Sequence, residues 1–174
     1  MTTGDRIKNW KLHDSQRGWF GFELYKAMAK DPKIWLISID LGYGLFDKHF
    51  KYFPERTINT GAAEQAAMGI ACGLALEGKI PVVYSISTFL LFRAFEQIRN
   101  YINHEKIPVK LIGGGRAKDY EHDGISHWMF EDDIIFKKLF TNIQAAWPEY
   151  KEDIPDIVKT ILTHKKPYYL NLRR

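Results

Sequence analysis

From Arg17 to Asp31 the stretch RGWFGFELYKAMAKD carries apolar residues at helical spacing and stops at Asp31-Pro32, where the residue before a proline leaves the helical region. The next stretch, IWLISIDLG (34–42), is apolar at nearly every position and runs into glycine, as a buried strand does before a loop. Residues 43–56 show no period and read as irregular. TINTG (57–61) is a second short strand, AAEQAAMGIACGLALEG a helix closed by Gly78, and IPVVYSIS a third strand. The alternation continues with a helix in TFLLFRAFEQIRNYINHEK, a strand in PVKLIGGG and a polar loop over 116–128. EDDIIFKKLF reads as a helix, NIQAAWP as a strand, KEDIPDIVKTILTHKK as a helix and PYYLNLR as the last strand. Near-continuous apolar strands separated by helices predict an α/β fold of three layers, α/β/α, with a mostly parallel sheet covered on both faces.

The 174 residues suit one domain, with residues 1–16 as an N-terminal extension, and a 45% apolar composition fills a single core. Twenty-five Lys and Arg face 21 Asp and Glu, but the basic residues are scattered rather than gathered on a face, which argues against nucleic acid as a partner. The single cysteine, Cys72, excludes an internal disulfide and reads as a small core residue. The N-terminus lacks an apolar segment behind its charges, and IPVVYSISTFLLF is too short and too polar to span a bilayer. The expectation is a cytoplasmic protein without a membrane partner.

In parallel sheets ligands sit outside the carboxyl ends of the strands, so the loops that follow strands carry the candidate chemistry. After the second strand, Glu64 falls in the first turn of a helix, where a carboxylate is favoured simply as a capping acid. The helix body, however, is built from Ala66, Ala67, Gly69, Ile70, Ala71, Gly73 and Ala75. Its glycines cost helix stability, and its small side chains suit a close neighbour that would shield Glu64 from water. Phe89, Phe92 and Phe95 follow the third strand at a spacing of three, a stripe that serves either a core or a flat heteroaromatic ligand. The 116–128 loop holds His122, Asp123 and His127. It has no His or Cys pair at a familiar metal-ligand spacing, so no metal is assigned to this chain, and His127 alone reads equally as an exposed loop histidine. No phosphate-binding glycine motif occurs around Gly113 to Gly115.

Taken together, NTGAAEQAAMGIACGLALEGKIPVVYSISTFL, the aromatic-rich helix after it and DGISH resemble the pyrimidine-binding (Pyr) domain of transketolases, from about Arg17 to Arg174. The AEQ form is also similar to that of 1-deoxyxylulose-5-phosphate synthase, whereas the aromatic spacing in TFLLFRAF is closer to transketolase. The resemblance implies thiamine diphosphate as cofactor. It gives Glu64 a hydrogen bond to the pyrimidine nitrogen opposite the amino group, so that the imino tautomer can take up the thiazolium proton. It implies further that Phe89, Phe92 and Phe95 enclose the pyrimidine, with Phe92 stacking on it, and that Asp40 lies near the thiazolium. His127 would meet the hydroxyl or alkoxide of a two-carbon donor and Asp123 a neighbouring hydroxyl, while Arg93 and Arg116 are candidates for a sugar phosphate or for surface ion pairs. Ile125-Ser126 and Trp128 depart from the family's Pro-Thr and Gln.

The family's Gly-Asp-Gly segment for the diphosphate and Mg²⁺ does not occur in these residues, nor does a C-terminal transketolase domain. The expectation is therefore a split enzyme. This chain is its small subunit, a large partner subunit holds the Mg²⁺ and diphosphate, and the assembly is a heterotetramer or a homodimer core, with helix 62–77 as the contact. Two-carbon ketol transfer between sugars or sugar phosphates is the leading activity. A decarboxylative ligation of pyruvate to an aldehyde and a non-catalytic scaffold are the alternatives.

Overall fold

The computed structural model describes residues 10–174. Six strands build one sheet: β1 (Ile34–Ser38), β2 (Thr57–Asn59), β3 (Ile80–Ile86), β4 (Lys110–Gly114), β5 (Gln144–Ala146) and β6 (Tyr168–Leu172). They lie in the order β2-β1-β3-β4-β6-β5, and every pair is parallel. The helices are α1 (Gln16–Lys30), α2 (Asp47–Tyr52), α3 (Glu64–Leu76), the helical run α4 over 89–104, α5 (Asp132–Lys138) and α6 (Ile154–Thr163).

Alternation along each strand divides the core in two. Ile37, Val83, Leu111 and Tyr169 face α3, α4 and α5, which contribute Met68, Ala71, Leu91, Ile98, Phe136 and Phe140. Their neighbours Leu36, Val82, Ile112 and Leu170 face α1 and α6, which contribute Phe20, Leu24, Tyr25, Ile154 and Val158. This is the three-layer α/β/α arrangement that the strand pattern predicts. Cys72 is buried against the first layer, and burial pushes its thiol up to about 11. Gly78 ends α3 at φ 73°, with Lys79 N–H donating to Leu74 O at 2.9 Å. None of the helices among the described residues is long and apolar enough to cross a membrane.

Two expectations change. Residues 43–56 are not irregular throughout, because α2 forms there, started by Asp47, whose Oδ1 accepts the Gly44 N–H at 3.0 Å. Six residues make less than two turns, too short for a hydrophobic period to register. The segment over 88–106 is also not a regular α-helix. It is wound as π-helical turns at Phe89–Arg93 and Ile98–His104 with a short α segment between them, so spacing of three does not keep its phenylalanines on one face.

The chain runs from β1 outward to β2 and then returns past β1 to β3, so the winding reverses between β1 and β3. The crevice outside their carboxyl ends is where such sheets bind ligands.

Candidate functional site

Glu64 begins α3, with Ala63 at the cap position making no side-chain hydrogen bond. Its side chain is only 7% exposed. Oε1 accepts a 2.6 Å hydrogen bond from Arg93 Nη1, and no donor among the described residues is bonded to Oε2. The Arg93 guanidinium lies 3.6 Å above the centre of the Phe89 ring. Phe89 meets His127 edge-on, with ring centres 4.8 Å apart, and His127 in turn lies 6.1 Å from Tyr120. Thr88 Oγ1 donates to Ser126 O at 2.7 Å and Ser126 Oγ bonds His127 Nδ1 at 3.0 Å, which fixes the histidine loop onto the end of β3. Glu64, Arg93, Phe89, His127 and Tyr120 thus form one connected surface along the crevice.

The other candidates divide. Phe92 is 46% exposed, a large ring left free for a ligand or partner to cover. Phe95 turns the other way and packs on Phe140 at 5.0 Å, in the core rather than with Phe89 and Phe92. Asp40 sits at the end of β1 at φ 51°. Its N–H donates to Asn59 Oδ1, which also receives the Gly61 N–H, so one asparagine joins the loops after β1 and β2. Asp123 closes an exposed 3₁₀ turn, Glu121–Asp123, in a loop braced by an antiparallel bridge between Ala117 and Met129. Arg116 is committed to the fold: it pairs with Glu149 at 3.1 Å and donates to the carbonyls of Pro148 and Asn171. Arg93 is likewise engaged by Glu64. Neither arginine expected to meet a phosphate stands free.

The structure offers a different cation, one that the sequence pattern hid inside a helix. A cavity of about 230 Å³ opens between the start of α1 and the 41–45 loop, lined by Arg17, Tyr84, Tyr120, His13 and Ser15 among others. Arg17 Nη1 donates to Tyr120 OH at 2.8 Å, its buried Nε has no partner, and among the described residues no carboxylate pairs with it. Burial pushes the Tyr84 phenol up to about 12, with Arg17 opposing, and burial also raises Tyr120. Both phenols therefore stay neutral and able to donate. A cation in the first turn of a helix opposes the macrodipole, and that misplacement is the signal by which Arg17 could have been found.

Glu64 and Phe92 are of types that suit an aminopyrimidine: a buried carboxylate with one open oxygen, and an exposed aromatic ring on the residue before Arg93. No group of three His, Cys, Asp or Glu among the described residues is placed to hold a metal ion.

The model of the transketolase pyrimidine-binding domain matches residues 15–174. A Methanocaldococcus jannaschii protein assigned as a transketolase C-terminal section is 32% identical over 164 residues, which cover 94% of this chain and 52% of the relative. One of the subunits of an apulose-4-phosphate transketolase from Actinobacillus succinogenes is 34% identical over 122 residues, 70% of this chain and 39% of that one. A solved split-gene transketolase, described as an inactive β4 tetramer, superposes with a TM-score of 0.80 at 34% identity, covering 92% of this chain and 52% of the other. The chain thus spans about half the length of these relatives. It belongs to the transketolase family of pyrimidine-binding domains.

Proposed function

We propose that this chain is the pyrimidine-binding half of a split, thiamine-diphosphate-dependent transketolase that moves a two-carbon ketol unit between sugars. The observation that carries the reading is Glu64, a buried carboxylate at the head of α3 with one oxygen unclaimed. When bound, the cofactor supplies the electron sink for breaking a carbon–carbon bond next to a carbonyl. Glu64 would hold the proton at the pyrimidine nitrogen through Oε2, Phe92 and Phe89 would hold the pyrimidine ring, and Asp40 would line the thiazolium side. His127 donates to the hydroxyl on the reacting carbon, which stabilises negative charge as it develops, and Asp123 accepts from the adjacent hydroxyl. An extended substrate runs from His127 past Tyr120 to Arg17, which lines the cavity with two phenols and suits an anionic terminus such as a phosphate.

The diphosphate and Mg²⁺ belong to a large partner subunit, and two copies of each subunit make a heterotetramer in the cytoplasm. On α3 a Cβ added at Gly69 or Gly73 would meet nothing within 4 Å, and Ile70 and Leu76 are exposed on the same helix. The chain's own packing does not require these glycines, whereas a partner surface close against α3 does.

The test is calorimetric titration of thiamine diphosphate with Mg²⁺ into this chain alone and into its complex with the co-purified large subunit. Binding in the complex only, with turnover of ketose donors, is the expected result. Turnover of pyruvate but not ketoses would replace ketol transfer with decarboxylative ligation, and a stable complex that binds no cofactor would leave a scaffold.

A further inference from the structure

Arg93 is held to α3 twice. Its side chain donates to Glu64 Oε1 at 2.6 Å, and its backbone carbonyl accepts from Gln65 Nε2 at 3.3 Å. The guanidinium is also stacked on Phe89, which fixes its plane. Residues Phe89–Arg93 form the π-helical turn, a geometry that recurs at functional sites because it departs from the regular ladder. A guanidinium keeps its proton throughout the working pH range, so the bond to Oε1 persists whatever the state of the ligand.

Resting on the proposed cofactor reading, we propose that Arg93 is a positioning residue for Glu64. By engaging Oε1 it sets the plane of the carboxylate and leaves Oε2 as the single oxygen presented to the cofactor's pyrimidine. Without it, both oxygens compete for the ring nitrogen and the carboxylate turns freely about its last bond. Of the two roles open to Arg93 from the sequence, sugar-phosphate contact or ion pair, this is the second, made with Glu64. The pair is open on one side only, with Arg93 48% exposed and Glu64 7%, so its loss costs folding more than a surface pair would, and the readouts on the bound pyrimidine separate a positioning role from a merely structural one.

The experiment uses the complex with the large subunit and the variants Arg93→Met and Arg93→Lys. It reads calorimetric affinity for thiamine diphosphate with Mg²⁺, the ultraviolet circular-dichroism band of the bound pyrimidine, and the melting temperature. For Arg93→Met the expected result is affinity lower by roughly tenfold, the value of one charge-assisted hydrogen bond in a part-exposed site, with an altered pyrimidine band and a melting temperature lowered by no more than about 5 °C. Lysine restores part of the loss. Guanidinium ion at sub-denaturing concentration restores binding to Arg93→Met, because the vacated space is open to water. Unchanged affinity and band in Arg93→Met overturn the proposal. Tighter binding also overturns it, since the ion pair would then be an obstacle that the cofactor displaces. Failure of the wild-type complex to bind removes the cofactor reading and the role of Arg93 together, whereas binding by wild type and both variants alike removes only the latter.

Discussion

Two buried acids stand on the same face of the sheet and lead opposite lives. Asp132, at the start of α5, is 4% exposed and saturated: Trp147 Nε1 donates at 2.7 Å, Tyr169 OH at 3.1 Å and Asn171 Nδ2 at 2.5 Å to Oδ2, and the Asp133 N–H donates to Oδ1. The network continues through Asn171 to Ser87, whose hydroxyl donates to Gly115 O, so it joins the ends of β3, β4 and β6. Glu64 is nearly as buried but has one partner and an unclaimed oxygen. Burial alone therefore does not mark a functional acid. What separates the two is unfilled hydrogen-bonding capacity with access from outside, because a saturated carboxylate has nothing left to offer a ligand.

Exchanging the two acids' roles by mutation gives the largest effects. Glu64→Gln keeps an acceptor for Arg93 but presents an amide where a carboxylate is needed. Turnover of the assembled enzyme is expected to fall by about 10²–10⁴-fold, the usual contribution of a positioned acid or base, with the urea-unfolding midpoint almost unmoved. Asp132→Ala reverses the pattern. Two buried donors and a part-buried one lose their acceptor, and the unfolding free energy of the isolated chain is expected to fall by about 3 kcal/mol. If Asp132→Ala abolishes activity at unchanged stability, or Glu64→Gln unfolds the chain, the contrast between the two acids is wrong.

The sheet was legible because each strand's apolar run and each long helix's period are fixed by burial on known faces. Glu64 was legible as a misfit, a lone acid heading a helix of alanine and glycine. The phenylalanine stripe misled, since the spacing argument assumes an α-helix and π-turns rotate Phe95 into the core beside Phe140. For Arg116 the sequence left a phosphate contact and an ion pair open, because its ties to Pro148, Glu149 and Asn171 are long-range and leave no local pattern. The Asp132 network was invisible for the same reason: its members lie 15 to 39 residues away along the chain.

His49 sharpens the comparison, because it has unfilled capacity without access. It is fully buried against Trp10, Tyr25 and Phe46, and neither ring nitrogen has a partner. Burial lowers its pKa from 6.5 to about 3; backbone groups of Gly21 and Phe46 oppose this without reaching hydrogen-bond geometry. The unfolded ring protonates near 6.5 and the folded ring only near 3, so between those values the unfolded state binds more protons and stability falls as pH falls. The slope approaches about 1.4 kcal/mol per pH unit, or roughly 2 kcal/mol lost by pH 5. Urea unfolding at pH 7.5 and pH 5 should show the loss in wild type and a clearly smaller one in His49→Leu. Equal acid sensitivity in both would mean that carboxylates elsewhere set the acid limb.

Arg17 is the cationic counterpart of Glu64, a charge that lines a cavity and that no carboxylate among the described residues neutralises. If access is the right criterion, removing it must act on substrate and leave the cofactor alone. Arg17→Met is expected to raise KM for anion-terminated sugars by about tenfold, one charge-assisted hydrogen bond, with a far smaller effect on sugars of the same length that end in a hydroxyl. Cofactor affinity should not move, in contrast to Arg93→Met, where it does. Because Arg17 also holds Tyr120 OH, the control is Tyr120→Phe, which removes that bond but leaves the cation. A rise in KM in Arg17→Met that is absent in Tyr120→Phe assigns the effect to charge. Equal losses in both, for charged and uncharged substrates alike, would make Arg17 a brace for the 116–128 loop.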